Sequence, residues 1–239
     1  MDLSIIWENS GVYLDGLKNT VILVSLSLAI GLFLAIPLAV LRNSGNRLLE
    51  WPIRAFVYCF RGTPLLVQMF LIYYGFGQFE LIKSSFLWAA FREAYFCALL
   101  AFTLNTCAYT TEIIRGAIKA TSHGEIEAAM AAGMSRLLMI RRIILPSAFR
   151  RALPAYSNEI IFMLHGSSLA SVITIIDITG AARIINSRYY SPYEAFITAA
   201  VLYLSLTFII VFLIKQLEKR WFAHLQPQAT TTPVIEAPQ

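Results

Sequence analysis

Five stretches of the chain run apolar without a charged side chain: 20–41, 62–79, 94–111, 160–176 and 195–214. Each is about 17–22 residues long, within the length that a helix needs to cross a bilayer. The fourth extends back to residue 152 if one acid, Glu159, is admitted. The pattern predicts an all-α membrane protein with five transmembrane helices, and no connection is long enough for a second folded domain. The first run is too long for a cleavable signal peptide. Asp2, Glu8 and Asp15 also precede it, where a basic segment belongs. The expected organisation is an N-terminal segment over 1–18, a transmembrane domain over 19–217 and a mostly disordered tail over 218–239. The end of that tail is rich in Pro and Thr.

Charge gives the arrangement a direction. Only 14% of the residues are charged and 58% are hydrophobic, against about 25% charged in a typical soluble domain. This excludes a disordered chain and argues against a water-soluble enzyme. The net charge of +5 would suggest nucleic acid if it lay on one soluble surface, but the basic residues are sorted by side. Of the 19 Lys and Arg, 14 fall on the side that holds 42–61, 115–151 and 215–220, and five on the other. The basic side is read as cytoplasmic, which puts the N-terminus outside and the C-terminus inside, with no nucleic-acid partner. Cys59, Cys97 and Cys107 lie in or beside apolar runs, without a CxxC pair or a His at ligand spacing. They are expected to be buried free thiols, and neither a metal nor a cofactor is expected.

The longest cytoplasmic connection, 116–151, is polar enough to leave the membrane yet helical in composition. Ser122 and Glu125 have capping-box spacing. The helix they open runs through Ala-rich sequence to Gly133, and a second short helix is expected from Ser135 toward Leu145, closed by Pro146. Within it, Glu127, Ala128 and Ala129, then Gly133, then Ile143, Leu145 and Pro146 form the pattern EAA-x3-G-x9-I-x-L-P. Seven fixed positions in such a loop resemble the signature of the membrane subunits of bacterial binding-protein-dependent ABC importers.

The likeness extends to Arg61-Gly62-Thr63-Pro64-Leu65, to the run from Leu104 to Ile113 and to the run from Leu153 to Glu159. These resemble the polar amino acid branch, and within it the M-type permeases of histidine/lysine/arginine/ornithine and opine importers. The resemblance implies the type I ABC importer fold in the bacterial inner membrane. It also implies that the loop docks on an ATPase subunit. The implied partners are a paralogous second permease, two ATPase copies and a periplasmic amino acid-binding protein, in addition to the lipid bilayer. The chain has no Gly-Lys dipeptide and so no phosphate loop, so ATP hydrolysis is expected in a partner and no enzymatic activity in this subunit.

Polar groups inside the spans are the candidates for a substrate pathway, because an intramembrane acid is costly and points to function. With the fourth span centred near Leu164, Glu159 lies about 7–8 Å toward the cytoplasm, and Glu112 lies about 14 Å from the centre of the third. Glu159 either faces substrate or makes an interhelical pair. Glu112 is three residues from Arg115, at the spacing of a local ion pair. Asn105, Tyr109 and Glu112 share one helical face, where Asn105 either binds the polar groups of an amino acid or joins two helices. Met163, Gly166 and Ser167 follow Glu159 at helical spacing, and Gly166-Ser167-Ser168 resembles a small polar patch that relatives place beside the path. Arg54 and Arg61, seven apart, read as snorkelling anchors.

Two other classes compete. A self-contained secondary transporter would show an internal repeat, and the motifs show none. A membrane-embedded enzyme would need a cluster of reactive residues at one depth, and only isolated ones occur.

Overall fold

The computed structural model describes residues 4–222, and among these there is no strand. The helices are α1 (Ser4–Glu8), α2 (Ser10–Arg42), α3 (Arg47–Gly62), α4 (Leu65–Phe70), α5 (Glu80–Lys83), α6 (Trp88–Phe91), α7 (Ala94–Lys119), α8 (His123–Ala131), α9 (Arg136–Met139), α10 (Leu145–Gly166), α11 (Ile178–Tyr189) and α12 (Pro192–Phe222). Three of them, α2, α7 and α12, are long and apolar enough to cross a membrane unbroken. Two further crossings arise only if each of two bent pairs counts as one span: α3 with Leu65–Gln78, bent by 106°, and Arg136–Ile173 with α11, bent by 46°. The tail expected over 218–239 is helical as far as Phe222, and its remainder lies outside the described residues.

Both bends correct the sequence reading, and both have local causes. The run 62–79 is not one straight helix. Thr63, held extended by the following proline (φ −118°, ψ 145°), ends α3, and Pro64 then precedes the first residue of α4. Nor does Pro146 close the second loop helix. A proline in the first turn lacks only an N–H that has no partner there anyway, and α9 runs through a π turn, Ile140–Ile144, straight into α10. The fourth apolar run then breaks. A 3-10 segment, Ser167–Ile173, follows Gly166, Thr174 takes a left-handed conformation (φ 75°), and α11 starts afresh. Cys97 and Cys107 are buried as expected, whereas Cys59 is exposed.

α7 is the centre of the bundle. Buried residues make up 67% of its apolar stretch, against 28% for α2 and 6% for α12. It packs most extensively on α2, whose buried residues Ser27, Gly31, Ala35 and Ala39 recur every four positions. Such a stripe lets two helix backbones approach. At Gly31 the approach is close enough that a Cβ would collide with the Thr106 side chain and come within 3.3 Å of the Cys107 nitrogen. Leu23, Met69, Phe102, Met163, Leu164 and Ile173 gather α2, α4, α7 and α10 into the main core.

The other end of α2 is tied to α11 and α12 by a buried acid that the sequence reading passed over. Asp177 is fully buried and caps α11, accepting from the Gly180 N–H at 2.8 Å, while the Tyr203 hydroxyl of α12 donates to its other oxygen at 2.9 Å. Beside it, the Ile178 N–H donates to the Thr20 hydroxyl of α2 at 3.2 Å. A lone buried carboxylate would be costly, and these bonds offset that cost.

Candidate substrate cavity and coupling loop

The 106° bend brings the α3–α4 junction against the middle of α7 and the second half of α10, and these elements line an open cavity of about 500 Å³. Four of the six predicted pathway residues, Asn105, Tyr109, Glu159 and Met163, lie on its wall together with Arg61 and Thr63. Glu159 is 6% exposed and Asn105 8%, so both are desolvated polar groups at the edge of an open space. Asn105 also joins helices: its amide nitrogen donates to Gln68 Oε1 at 3.0 Å. Gln68 in turn donates to the Phe60 carbonyl at 2.7 Å and the Thr63 hydroxyl at 2.8 Å. Gln68 was not singled out from the sequence, where a lone amide in an apolar run carries no spacing signal. It holds the bend in place and orients the Asn105 amide.

The remaining two pathway candidates lie elsewhere. Ser167 is buried and donates to the Leu164 carbonyl at 2.6 Å, capping the end of α10 away from the cavity wall. Glu112 pairs with Arg115 at 2.9 Å, as its spacing predicted, and also with Arg42 from α2. It lines a second, adjoining cavity of about 450 Å³ with Arg42, Arg54 and Arg61. Arg61 and Tyr109 belong to both cavities, and the Arg61 guanidinium stands 5.0 Å over the Tyr109 ring, a cation–π arrangement. Arg54 and Arg61 are exposed and border these open clefts, where the sequence suggested simple anchors.

The loop is built as its motif suggested at the start. Ser122 accepts from the Glu125 N–H, and Gly133 supplies the left-handed residue (φ 73°) that ends α8. The Met134 N–H then returns to the Ala129 carbonyl at 3.1 Å in a Schellman closure. Ser135 caps α9. Glu127 and Ala128 are exposed, Ala129 is buried beneath them, and Met130 and Leu137 extend outward at 56% and 76% exposure. Ile143 and Leu145 are half-buried in the stem and Pro146 is exposed. The base of the loop is clamped by Arg151, read from sequence only as a topogenic charge. Its guanidinium donates to the Ala117 carbonyl (3.2 Å), the Thr121 hydroxyl (2.7 Å) and the Ser147 hydroxyl (2.6 Å).

Residues 27–223 match the family described as the inner membrane component of binding-protein-dependent transport systems. The chain is 49% identical over 227 residues to the histidine/lysine/arginine/ornithine transport system permease protein HisM of Escherichia coli K12, covering 95% of each. It is 50% identical over 211 residues to the nopaline transport system permease protein NocM of Agrobacterium fabrum, covering 88% of each. Its structure is similar to a chain in the crystal structure of an amino acid ABC transporter with histidines. The TM-score is 0.82 at 32% identity, covering 92% of this chain and 99% of that one.

Proposed function

From the premise that the chain belongs to the inner membrane component family of binding-protein-dependent transport systems, we propose that it is the multi-pass inner-membrane permease subunit of an ATP-driven importer of basic amino acids. An ATPase and a substrate-binding protein complete such a system. The finer reading is a heteromer of this chain with a paralogous permease, two ATPase copies and a periplasmic binding protein. In it, residues 19–217 are the transmembrane domain, the N-terminus is outside and the C-terminus inside. The exposed face of α8, with Glu127, Ala128 and Gly133 in the 116–151 loop, is the contact for the ATPase. ATP is hydrolysed there and not in this subunit.

The observation that carries the substrate reading is the convergence of Glu159, Asn105, Tyr109 and Met163 on one cavity. A desolvated ammonium or guanidinium needs an anionic partner, and Glu159 is the acid on that wall. Identity to the nopaline permease favours a second reading, an opine importer, which the same acid serves where the opine carries a guanidinium. In the complete complex, Glu159→Gln should lower uptake of arginine, lysine or histidine by about tenfold or more, the worth of one charged hydrogen bond. Comparing arginine with octopine uptake separates the two substrates, and undiminished basic amino acid uptake by an intact Glu159→Gln complex would overturn the cavity assignment.

A further inference from the structure

The cavity beside Glu159 answers only half of an amino acid. A basic substrate carries a cationic side chain, for which Glu159 is the partner, and an α-carboxylate, which needs a cation once it leaves water. Arg61 is the cation on that wall, and it is also a wall of the adjoining cavity, where Arg42 and Arg54 are the next positive groups.

That second cavity is strongly positive. Arg42, Arg54, Arg61 and Arg115 stand near one another, and the acids among them are Glu112 and Glu50. Glu112 is already shared between Arg42 and Arg115, so its charge is quenched. Glu50 is four residues before Arg54, yet among the described residues neither Arg54 nor Arg61 has a carboxylate at ion-pair distance. Arg61 is engaged instead by the face of Tyr109, an attachment worth about 0.5–2 kcal/mol and therefore exchangeable for a carboxylate. We propose that the cleft lined by Arg42, Arg54 and Arg61 is a second substrate station, which takes the α-carboxylate after Arg61 releases it. The substrate then leaves the cavity beside Glu159 carboxylate first, with its cationic end last to part from that acid.

The proposal rests on the reading of the Glu159 cavity as the substrate's, and its test separates the two. Arg54 borders the second cavity and not the first, and among the described residues it makes no ion pair with Glu112. In proteoliposomes holding the complete complex, Arg54→Gln should lower uptake of arginine about tenfold, one charged hydrogen bond lost, while ATP hydrolysis stimulated by the loaded binding protein is kept. Arg54→Lys, which keeps the charge, should recover most of the uptake. A substrate with a second carboxylate, such as octopine, should lose more than arginine does. Full uptake by Arg54→Gln overturns the station. So does a parallel fall in stimulated hydrolysis, which would make Arg54 a structural or coupling residue. A defect seen with phosphatidylglycerol but absent in pure phosphatidylcholine also overturns it, by assigning the cleft to a lipid phosphate. Normal Glu159→Gln uptake beside a defective Arg54→Gln overturns the reading of the Glu159 cavity instead.

Discussion

At Gly31 the backbone of α2 lies so near α7 that no side chain fits between them. Gly31→Val should therefore destabilise the solubilised complex by about 1–3 kcal/mol, the cost of overpacking. Thermal unfolding in detergent would show a lowered midpoint. Gly11→Val, on the same helix but with nothing within 4 Å, should leave it in place, and equal shifts for both would deny the close contact. Single residues were legible where periodicity spoke for them. Asn105 and Tyr109 share a face by spacing, and with Glu159 and Met163 they reach one cavity. Ser167 obeyed the same spacing from Glu159 and still misses it: α10 ends at Gly166, and the buried Ser167 hydroxyl turns back to the Leu164 carbonyl. Asp177 gave no signal at all: its partner Tyr203 is 26 positions away, and the Thr20 hydroxyl that accepts from the neighbouring Ile178 N–H is farther still, so only the folded chain makes a three-helix tie here.

Among the elements, the 116–151 loop was the most readable, because caps are local chemistry. Ser122, Ser135 and Gly133 each perform the role their residue types suggest. What joins the loop to the bundle was hidden, since the three acceptors of Arg151 lie up to 34 positions away. Two outcomes follow for the assembled transporter. Gly133→Val forces a β-branched residue into a left-handed backbone, at a cost of about 1–3 kcal/mol, and should weaken capture of the ATPase and uptake-linked hydrolysis. Arg151→Ala removes three hydrogen bonds and should impair the same readouts while the α8 caps remain. If both variants pulled down the ATPase and hydrolysed ATP normally, α8 would not be the contact. The prolines were harder to read than the caps. Pro64 and Pro146 are both breakers by type, but one ends a helix before it and the other sits inside the start of a new one.

On the scale of the whole molecule, the five apolar runs announced the membrane and the sorted charges announced a direction. The orientation is testable with fusions: a reporter active only in the cytoplasm should work when joined after Lys219 and fail when inserted after Lys83. The reverse result would turn the molecule over and move α8 to the wrong face. Three of the five expected crossings are unbroken helices, and the other two count as crossings only if each bent pair is one span, a shape the apolar runs did not reveal. The unbroken π turn into α10 has a mechanical consequence. From Arg151 at the loop's base to Glu159 at the cavity is eight residues, about 12 Å of helix, with no loop between them to absorb displacement. On the function proposed above, a thrust delivered to α8 by the ATPase would reach the acid as a push along a strut, because a helix is stiff along its axis. The strut has one soft joint, Pro154, whose ring removes a rung of hydrogen bonding midway. Pro154 is the one proline between Arg151 and Glu159, so a bend between the loop's base and the cavity wall would fall there.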